Sequence, residues 1–333
     1  MRRVLNILVV LGLVWSAYWY GAGYLLRQGV SAWFTEQVAR GWQADYSEIY
    51  TSGYPLRHIT TLISPALADP ATGAAWQAEW LNMDSPAIWP GRQTLAFPET
   101  AQRLSYFDQT VTLHAQGMDA DLHLRPGPDL VVERMALTSG PWAVEDARGE
   151  AMAADGLVLA MQGTDQPETY RFNVDAPQFV PGAALRKMLR PTAALPESFE
   201  SFELDMTVRF DRPWDRRALE DRRPQPVAID LGLAQAKWGA LALFAAGQVT
   251  VDSNGVPSGE LSIKAENWRD MLALAQGSGA VPDYAIGPAE RVLNLLSNMS
   301  GNPDTLDVKL GLRDGMVTLG PFPLGPAPYL YLR

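Results

Sequence analysis

The hydrophobic pattern divides the chain into one long apolar run near the N-terminus and a much longer part in which apolar and polar positions alternate. Residues 4–26 include no charged side chain. Because an α-helix rises about 1.5 Å per residue, this run is long enough to cross a hydrocarbon core about 30 Å thick. The sequence therefore predicts a transmembrane helix within residues 1–29, and no later segment repeats its pattern.

Charged and aromatic side chains give this helix a direction. Two arginines precede it, and basic residues beside a first span usually stay in the cytoplasm. Aromatic rings collect in its second half, as expected where a helix leaves the membrane. We expect a single-pass protein of the cytoplasmic (inner) membrane, with a cytoplasmic N-terminus and its bulk in the periplasm. The predicted anchor residues are Arg2, Arg3, Val4, Leu11, Trp15, Trp19, Tyr24 and Leu26.

A cleaved signal peptide is the main alternative, because it too combines a basic start with an apolar run. The small residues that a cleavage site requires occur at positions 21–23, between aromatic residues. The sequence therefore favours an uncleaved anchor. Residues 30–43 continue with apolar side chains at helical spacing and predict a short amphipathic linker helix, which lies either on the membrane surface or against the following domain.

Period-two alternation from residue 44 onward predicts half-buried antiparallel strands. Two hairpins are expected, one at 248–265 turning at Asn254 and Gly255, and one at 307–319 turning at Asp314 and Gly315. Other alternating runs occupy residues 110–114, 121–125, 130–137, 157–162, 170–174 and 202–210. Short helices, each bounded by proline or glycine, are predicted at 181–189, 268–276 and 288–298.

Together these elements define a mainly β (α+β) fold. We expect a curved antiparallel sheet with a few short capping helices, preceded by the transmembrane helix. The β-rich domain would span residues 44–333. A stretch at 211–226, dense in charge and bounded by prolines, is the best candidate for an internal boundary.

Composition excludes several classes of function. The net charge is −10, and three of the 27 basic residues lie in the first thirty positions, which hold no acidic residue. The remainder therefore carries 24 basic against 37 acidic residues, a balance that repels phosphate backbones. Nucleic acid is not expected as a partner. The chain has no cysteine, which excludes disulfides, thiolate metal sites and thiol nucleophiles.

Candidate metal ligands are few. His114 and His123 lie on two successive predicted strands, read as a hairpin, and a metal site would need Asp119 or Asp121 on the same face. Histidines on the solvent face are the commoner outcome of such a pattern. The third histidine of the chain is His58. No metal ligand and no cofactor are predicted.

Catalytic signals are equally weak. Pairs of acidic residues close in sequence are expected by chance among 37 acids, and a glycosidase would need two carboxylates held at a defined separation. No nucleophile elbow, phosphate-binding loop or dinucleotide motif occurs, so no catalytic residue is predicted. The acidic pairs are Glu145 with Asp146, Glu197 with Glu200, and Glu220 with Asp221.

Most of the eleven tryptophans are expected in the core.

Three motifs carry a resemblance to a known family. One is a turn, another is a hairpin followed by a helix at 247–275, and the third is the ending at 312–328. With the N-terminal anchor, they resemble the bacterial family called domain of unknown function 2125, which implies an anchored periplasmic protein without an assigned activity. The turn comprises Ser52, Gly53, Tyr54, Pro55, Leu56 and Arg57, and the hairpin motif includes Asn254, Gly255, Gly259, Asn267 and Trp268.

The hairpin and the Asn-Trp helix start also resemble, more weakly, the AsmA and TamB envelope proteins. That resemblance implies a long curved sheet with an apolar groove for lipid. The present chain is too short for a groove that bridges two membranes, since strands lie roughly 4.8 Å apart.

The leading hypothesis is a non-enzymatic envelope protein that binds lipid acyl chains or an outer-membrane client against an apolar sheet face. One alternative is a structural interaction module whose sheet is closed and dry. Another is a glycan or peptidoglycan hydrolase, which only the abundance of carboxylates supports. Expected partners are the cytoplasmic membrane, through one helix, and lipid or envelope proteins.

Overall fold

The computed structural model describes residues 2–71, 73–89, 91–107, 109–127, 129–182, 195–220, 222–277, 283–299, 302–320 and 322–332. Within these residues the protein is mostly antiparallel β-sheet behind a long apolar helix, which confirms the predicted fold class. The chain forms two compact units, the first made of residues 1–124, 138–140 and 144–149, and the second of residues 125–137, 141–143 and 150–333. The boundary predicted at 211–226 falls inside the second unit.

The N-terminal helix α1 runs without interruption over Arg2–Ala39. Its 38 residues give a length of about 57 Å. Among the described helices, α1 alone is long and apolar enough to cross a membrane. The residues predicted as a separate linker helix continue α1 up to Ala39. There the buried Phe34 packs edge-on against Tyr46, 4.9 Å between ring centroids, so this part of α1 packs on the domain.

The first unit has two antiparallel groups of strands. One is ordered β1-β4-β5-β8-β9 and the other β2-β3-β6-β7-β10. Their bounds are β1 Gln43–Asp45, β2 Glu48–Ser52, β3 Arg57–Ile63, β4 Ala66–Asp69, β5 Ala74–Gln77, β6 Trp80–Pro86, β7 Arg92–Ala96, β8 Gln102–Tyr106, β9 Gln109–Ala115 and β10 Asp119–Leu124. Three further strands, in the part of the chain that alternates between the units, are β11 Val132–Ser139, β12 Trp142–Asp146 and β13 Gly149–Ala154.

One predicted hairpin is wrong. The alternating runs at 110–114 and 121–125 do form the successive strands β9 and β10, but β9 pairs with β8 and β10 pairs with β7, in different sheets. The intervening turn, with Gly117 at a φ of +55°, is a crossover from one sheet to the other. Alternation determines which face of a strand is buried, but it does not determine which other strand pairs with it.

The second unit continues as a regular meander. Each strand from β14 to β22 pairs with the next in chain order. Both remaining predicted hairpins are confirmed, as are the helices predicted at 268–276 and 288–298, whereas 181–189 lies mostly outside the described residues. The bounds are β14 Leu157–Gly163, β15 Thr169–Asp175, β16 Ser201–Phe210, β17 Pro226–Trp238, β18 Leu241–Val251, β19 Pro257–Glu266, β20 Thr305–Arg313, β21 Met316–Leu319 and β22 Phe322–Pro326, with helices α2 Arg217–Glu220, α3 Trp268–Gly277 and α4 Asp283–Met299.

Candidate functional site

Two features stand out, one in each unit: a turn docked on α1, and a sheet face lined entirely by apolar side chains. The docked turn is the motif at 52–57, which joins β2 to β3 and contains a cis peptide bond between Tyr54 and Pro55. Gly53 has a φ of +96°, and a Cβ there would lie 2.9 Å from the carbonyl oxygen of Arg57. The turn therefore needs glycine at this position for both its conformation and its close backbone approach.

The turn is held against residues 15–19 of α1 by hydrogen bonds. Trp15 Nε1 donates to the carbonyl oxygen of Pro55 at 3.1 Å, and Trp19 Nε1 donates to that of Arg57 at 2.9 Å. The hydroxyls of Ser16 and Tyr54 share a further bond of 2.9 Å. A tryptophan N–H placed next to apolar surroundings needs such an acceptor, and here both acceptors are backbone carbonyls of the same turn.

His58 completes the interface between α1 and the strands of the first unit. Its ring stacks on Trp19 at 4.9 Å between centroids, and Nε2 donates to the Trp19 carbonyl oxygen at 3.0 Å. Both side chains are almost fully buried, with 2% of His58 and 4% of Trp19 exposed. A Cβ on Gly23 would lie 3.5 Å from Thr51 Cγ2, so α1 approaches the sheet closely there. The position of Trp19 in the apolar run predicted a membrane-interface residue, and its partner His58 was not predicted.

Arg57 is the charged residue of the turn. Its guanidinium binds Asp84 on β6 through Nε, at 2.7 and 2.9 Å to the two carboxylate oxygens. This hydrogen bond with Asp84 raises the pKa of Arg57. The ion pair with Asp84 therefore joins the turn to β6.

In the second unit, one face of the meander carries two rows of side chains that run across six strands. The members of each row are paired neighbours in register, so they point to the same side of the sheet. We call these the apolar rows: Val174, Leu204, Ala234, Ala245, Ile263 and Val308 in the first, and Phe172, Met206, Leu231, Gly247, Leu261 and Leu310 in the second.

The apolar rows remain partly exposed. Along the strands, the sheet is covered on either side of the rows, and we call these two covered parts the ends. All twelve members have intermediate exposure. At about 4.8 Å per strand, six strands give a surface about 24 Å wide. No charged or hydrogen-bonding side chain occurs in either row, so the surface offers only apolar contact.

One end of the rows is covered by the C-terminal segment. Ala327 and Leu330 pack on Val249 and Leu312, and the Leu330 amide donates to the carbonyl oxygen of Gly255 at 2.8 Å. Gly255, at a φ of +79°, forms the turn predicted with Asn254. The motif turn therefore both reverses the chain and fixes the segment that closes this end.

The other end is covered by helices α3 and α4. Trp268, only 2% exposed, packs with Ala265 and Leu306, and its Nε1 donates to the Pro303 carbonyl oxygen at 3.0 Å. Asn267 precedes α3 with a φ of +56°, and its side-chain amide donates to the Ala240 carbonyl oxygen. The Asn-Trp motif thus joins the β18–β19 hairpin to the helices.

The opposite face of the same strands is polar. Arg171 and Asp205 form a two-bond ion pair, with Nη2 to Oδ2 at 2.5 Å, and the hydrogen bond from Arg171 lowers the pKa of Asp205. An open depression of about 520 Å³ lies nearby on this face, and its lining includes Thr207, Asp230 and Gln248. The meander therefore separates an apolar from a polar surface.

The residues considered for metal or acid–base chemistry do not converge. No group of three His, Asp or Glu side chains suited to a metal ion occurs among the described residues. His114 and His123 lie in different sheets. Asp119 has a raised pKa, first because of burial and then because of the neighbouring Asp121. Glu145, Asp146, Glu197 and Glu200 are all exposed, and the pair Glu220 with Asp221 is not fully within the described residues.

The tryptophans divide between core and surface. Trp19, Trp238 and Trp268 are buried, whereas Trp33 and Trp89 are 42% and 37% exposed. Trp214 packs on the cluster formed by Met161, Tyr170, Val208 and Phe210. The Tyr170 hydroxyl accepts a hydrogen bond from the Trp214 amide at 3.1 Å and so helps to hold Trp214 on this cluster.

Comparison with known proteins gives a family for this chain. A search of curated proteins found no match to the chain. The sequence model of one family matches residues 19–328, a span that contains the docked turn, the apolar rows, helices α3 and α4 and, from the C-terminal segment, Ala327. The chain therefore belongs to the family described as an uncharacterized protein conserved in bacteria, domain of unknown function 2125.

Proposed function

We propose that this protein is an uncleaved, membrane-anchored protein of the bacterial envelope that binds lipid acyl chains on the apolar rows of its second unit. Its N-terminus would lie in the cytoplasm and its β-rich domain, residues 44–333, in the periplasm. The observation that carries the proposal is the pair of apolar rows, partly exposed and free of polar side chains, on a chain whose N-terminal helix is long and apolar enough to cross a membrane.

Retention of α1 is supported by its contacts. Cleavage at the small residues 21–23 would remove Trp15 and Trp19. The carbonyl oxygens of Pro55 and Arg57 would lose their donors, and His58 would lose both the ring that stacks on it and the acceptor of its Nε2. His58 and Trp19, which are 2% and 4% exposed, form the buried part of this contact. A segment that completes the folded unit in this way is a poor candidate for removal.

Acyl chains suit the apolar rows better than a peptide does. Peptides usually bind sheets by adding a strand at an edge, where backbone groups are free, with side-chain pockets for specificity. The apolar rows lie on the face of paired strands and provide no donor or acceptor. An acyl chain needs none, and each buried methylene contributes about 0.8 kcal/mol. The membrane anchor also keeps the domain close to a source of lipid.

The weaker resemblance to the AsmA and TamB proteins is consistent with this proposal. Local binding or transfer of lipid is the form that fits a chain of this length. The second candidate is an envelope interaction module, in which another protein covers the same apolar face. A hydrolase has no support beyond the abundance of acidic residues.

A charge placed in the apolar rows should abolish lipid binding. Ile263→Asp puts a carboxylate on the apolar face, whereas Ser262→Asp puts the same charge on the adjacent, exposed, polar position of β19. Because both variants keep the anchor, lipid that surrounds α1 is common to both. In native mass spectrometry of the full-length protein, we expect phospholipid adducts on wild type and on Ser262→Asp and their loss in Ile263→Asp.

Thermal melting of the two variants by circular dichroism controls for unfolding. If Ile263→Asp melts cooperatively and still retains the adducts, the lipid site lies elsewhere and the proposal fails. If a co-purifying protein, and no lipid, is lost from Ile263→Asp alone, the interaction-module alternative is correct.

A further inference from the structure

Two exposed apolar loops meet at the end of the first unit that touches α1. One is the turn with Tyr54 and Leu56, and the other follows β6 and carries Ile88 and Trp89. Leu56 is 73% exposed and Ile88 is 71% exposed, with 50% for Tyr54 and 37% for Trp89. The Ala87 amide donates to the Leu56 carbonyl oxygen at 2.9 Å, so the two loops form one surface. We call these four side chains the apolar tip.

The apolar tip is fixed at a defined level of α1. The Tyr18 hydroxyl donates to the carbonyl oxygen of Ala87 at 2.7 Å, and Trp15 Nε1 donates to that of Pro55 at 3.1 Å. Each loop is therefore tied to the helix at residues 15–18, one turn apart. The depth of α1 in a membrane therefore determines the depth of the apolar tip.

The part of α1 that makes no contact with the strands is too short to cross a membrane. Residues 4–14 are exposed on every side of α1, and from Trp15 onward one stripe of the helix faces the first unit. Eleven residues span about 16 Å, roughly half of a hydrocarbon core about 30 Å thick. The remaining depth must come from residues beyond Trp15, which have the apolar tip beside them, or from thinning of the bilayer.

The charges near the apolar tip fit this placement. Arg57 is neutralised by its two-bond pair with Asp84. Arg92 begins β7 just after the second loop, where its guanidinium suits a lipid phosphate. The tip itself offers aromatic and aliphatic groups, the side chains that favour the boundary between headgroups and acyl chains.

We propose that the apolar tip inserts into the leaflet in which α1 leaves the membrane, so that the first unit is seated in the bilayer by two loops in addition to its helix. This inference rests on the proposed anchoring by α1. It does not depend on lipid binding by the apolar rows. Its consequence is a fixed orientation of the first unit on the membrane, because three separate segments hold it.

The absence of cysteine makes this placement directly measurable. The full-length protein with a single cysteine, Leu56→Cys or Ile88→Cys, is labelled with the environment-sensitive dye NBD and reconstituted into vesicles of phosphatidylethanolamine and phosphatidylglycerol. Val9→Cys, in the free part of α1, reports anchoring. Tyr106→Cys, 62% exposed elsewhere in the first unit, reports water.

At Leu56 and Ile88 we expect blue-shifted NBD emission and quenching by bromine-labelled lipid close to the values at Val9, with neither effect at Tyr106. If Val9 lies in lipid while Leu56 and Ile88 behave like Tyr106, the inference is overturned and the anchoring stands. If Val9 also reports water, both the inference and the proposed anchoring are wrong.

Discussion

Gly259→Ala is expected to destabilise the second unit by about 3 kcal/mol or more, the upper range for forcing extra atoms into a packed site. Gly259 pairs with Val249 across β18 and β19, at a φ of +157°. A Cβ there would lie 2.1 Å from the Gln248 carbonyl oxygen and 2.9 Å from the Val249 Cα. Both obstacles are backbone atoms, so the two strands must separate to admit the methyl group.

Gly232→Ala is the matched control in the same sheet. A Cβ at Gly232 would lie 3.5 Å from the Asp205 carbonyl oxygen, an ordinary contact. There the change removes chain entropy from the unfolded state and should be neutral or stabilising by up to about 1 kcal/mol. Urea unfolding of the two variants measures both free energies. Equal effects at the two positions would show that the approach of β18 and β19 at Gly259 is not as close as described.

Trp19→Ala is expected to loosen the docking of α1 on the first unit by about 3 kcal/mol or more. The substitution removes a ring that is 4% exposed, its stacking on His58, and the hydrogen bond to Arg57. The His58 imidazole would then face a cavity. Because the turn at 52–57 is held by the same helix, the amides of β3 should lose protection first.

Hydrogen–deuterium exchange of the full-length protein in detergent measures this loss. Tyr24→Ala, on the same helix, is the control, because Tyr24 is 54% exposed and its removal should change stability by less than about 0.5 kcal/mol. Faster exchange of β3 in Trp19→Ala alone is the expected result. Unchanged exchange in both variants would mean that α1 and the turn are independent, and the argument for an uncleaved anchor would lose its basis.

Local chemistry explains which elements could be predicted from the sequence. The hairpin at 307–319 was predictable because Asp314 and Gly315 favour positive φ, and both adopt it, at +52° and +73°. Successive strands β9 and β10 look alike in sequence but pair in different sheets. Since period-two alternation fixes only the buried face, the crossover between them has no sequence signal.

The docked turn was recognised as a motif, but its contact with α1 was not. Trp15, Trp19 and Gly23 recur at four-residue spacing, which places them on one face of the helix. That spacing was a signal for packing, but tryptophan and tyrosine near the end of a membrane span also suit the lipid interface. The apolar rows were anticipated as one apolar face. Their position between two covered ends depends on cross-strand register, which the sequence does not contain.

Site-specific photo-cross-linking in living bacteria tests the central claim most directly. A benzophenone amino acid is introduced at Ile263, on the apolar face, or at Ser262, its neighbour on the polar face, in cells labelled with radioactive phosphate. We expect a phosphate-labelled lipid adduct at Ile263 and none at Ser262. Adducts to a protein at Ile263, or lipid adducts of equal yield at both positions, would contradict binding of acyl chains on the apolar rows.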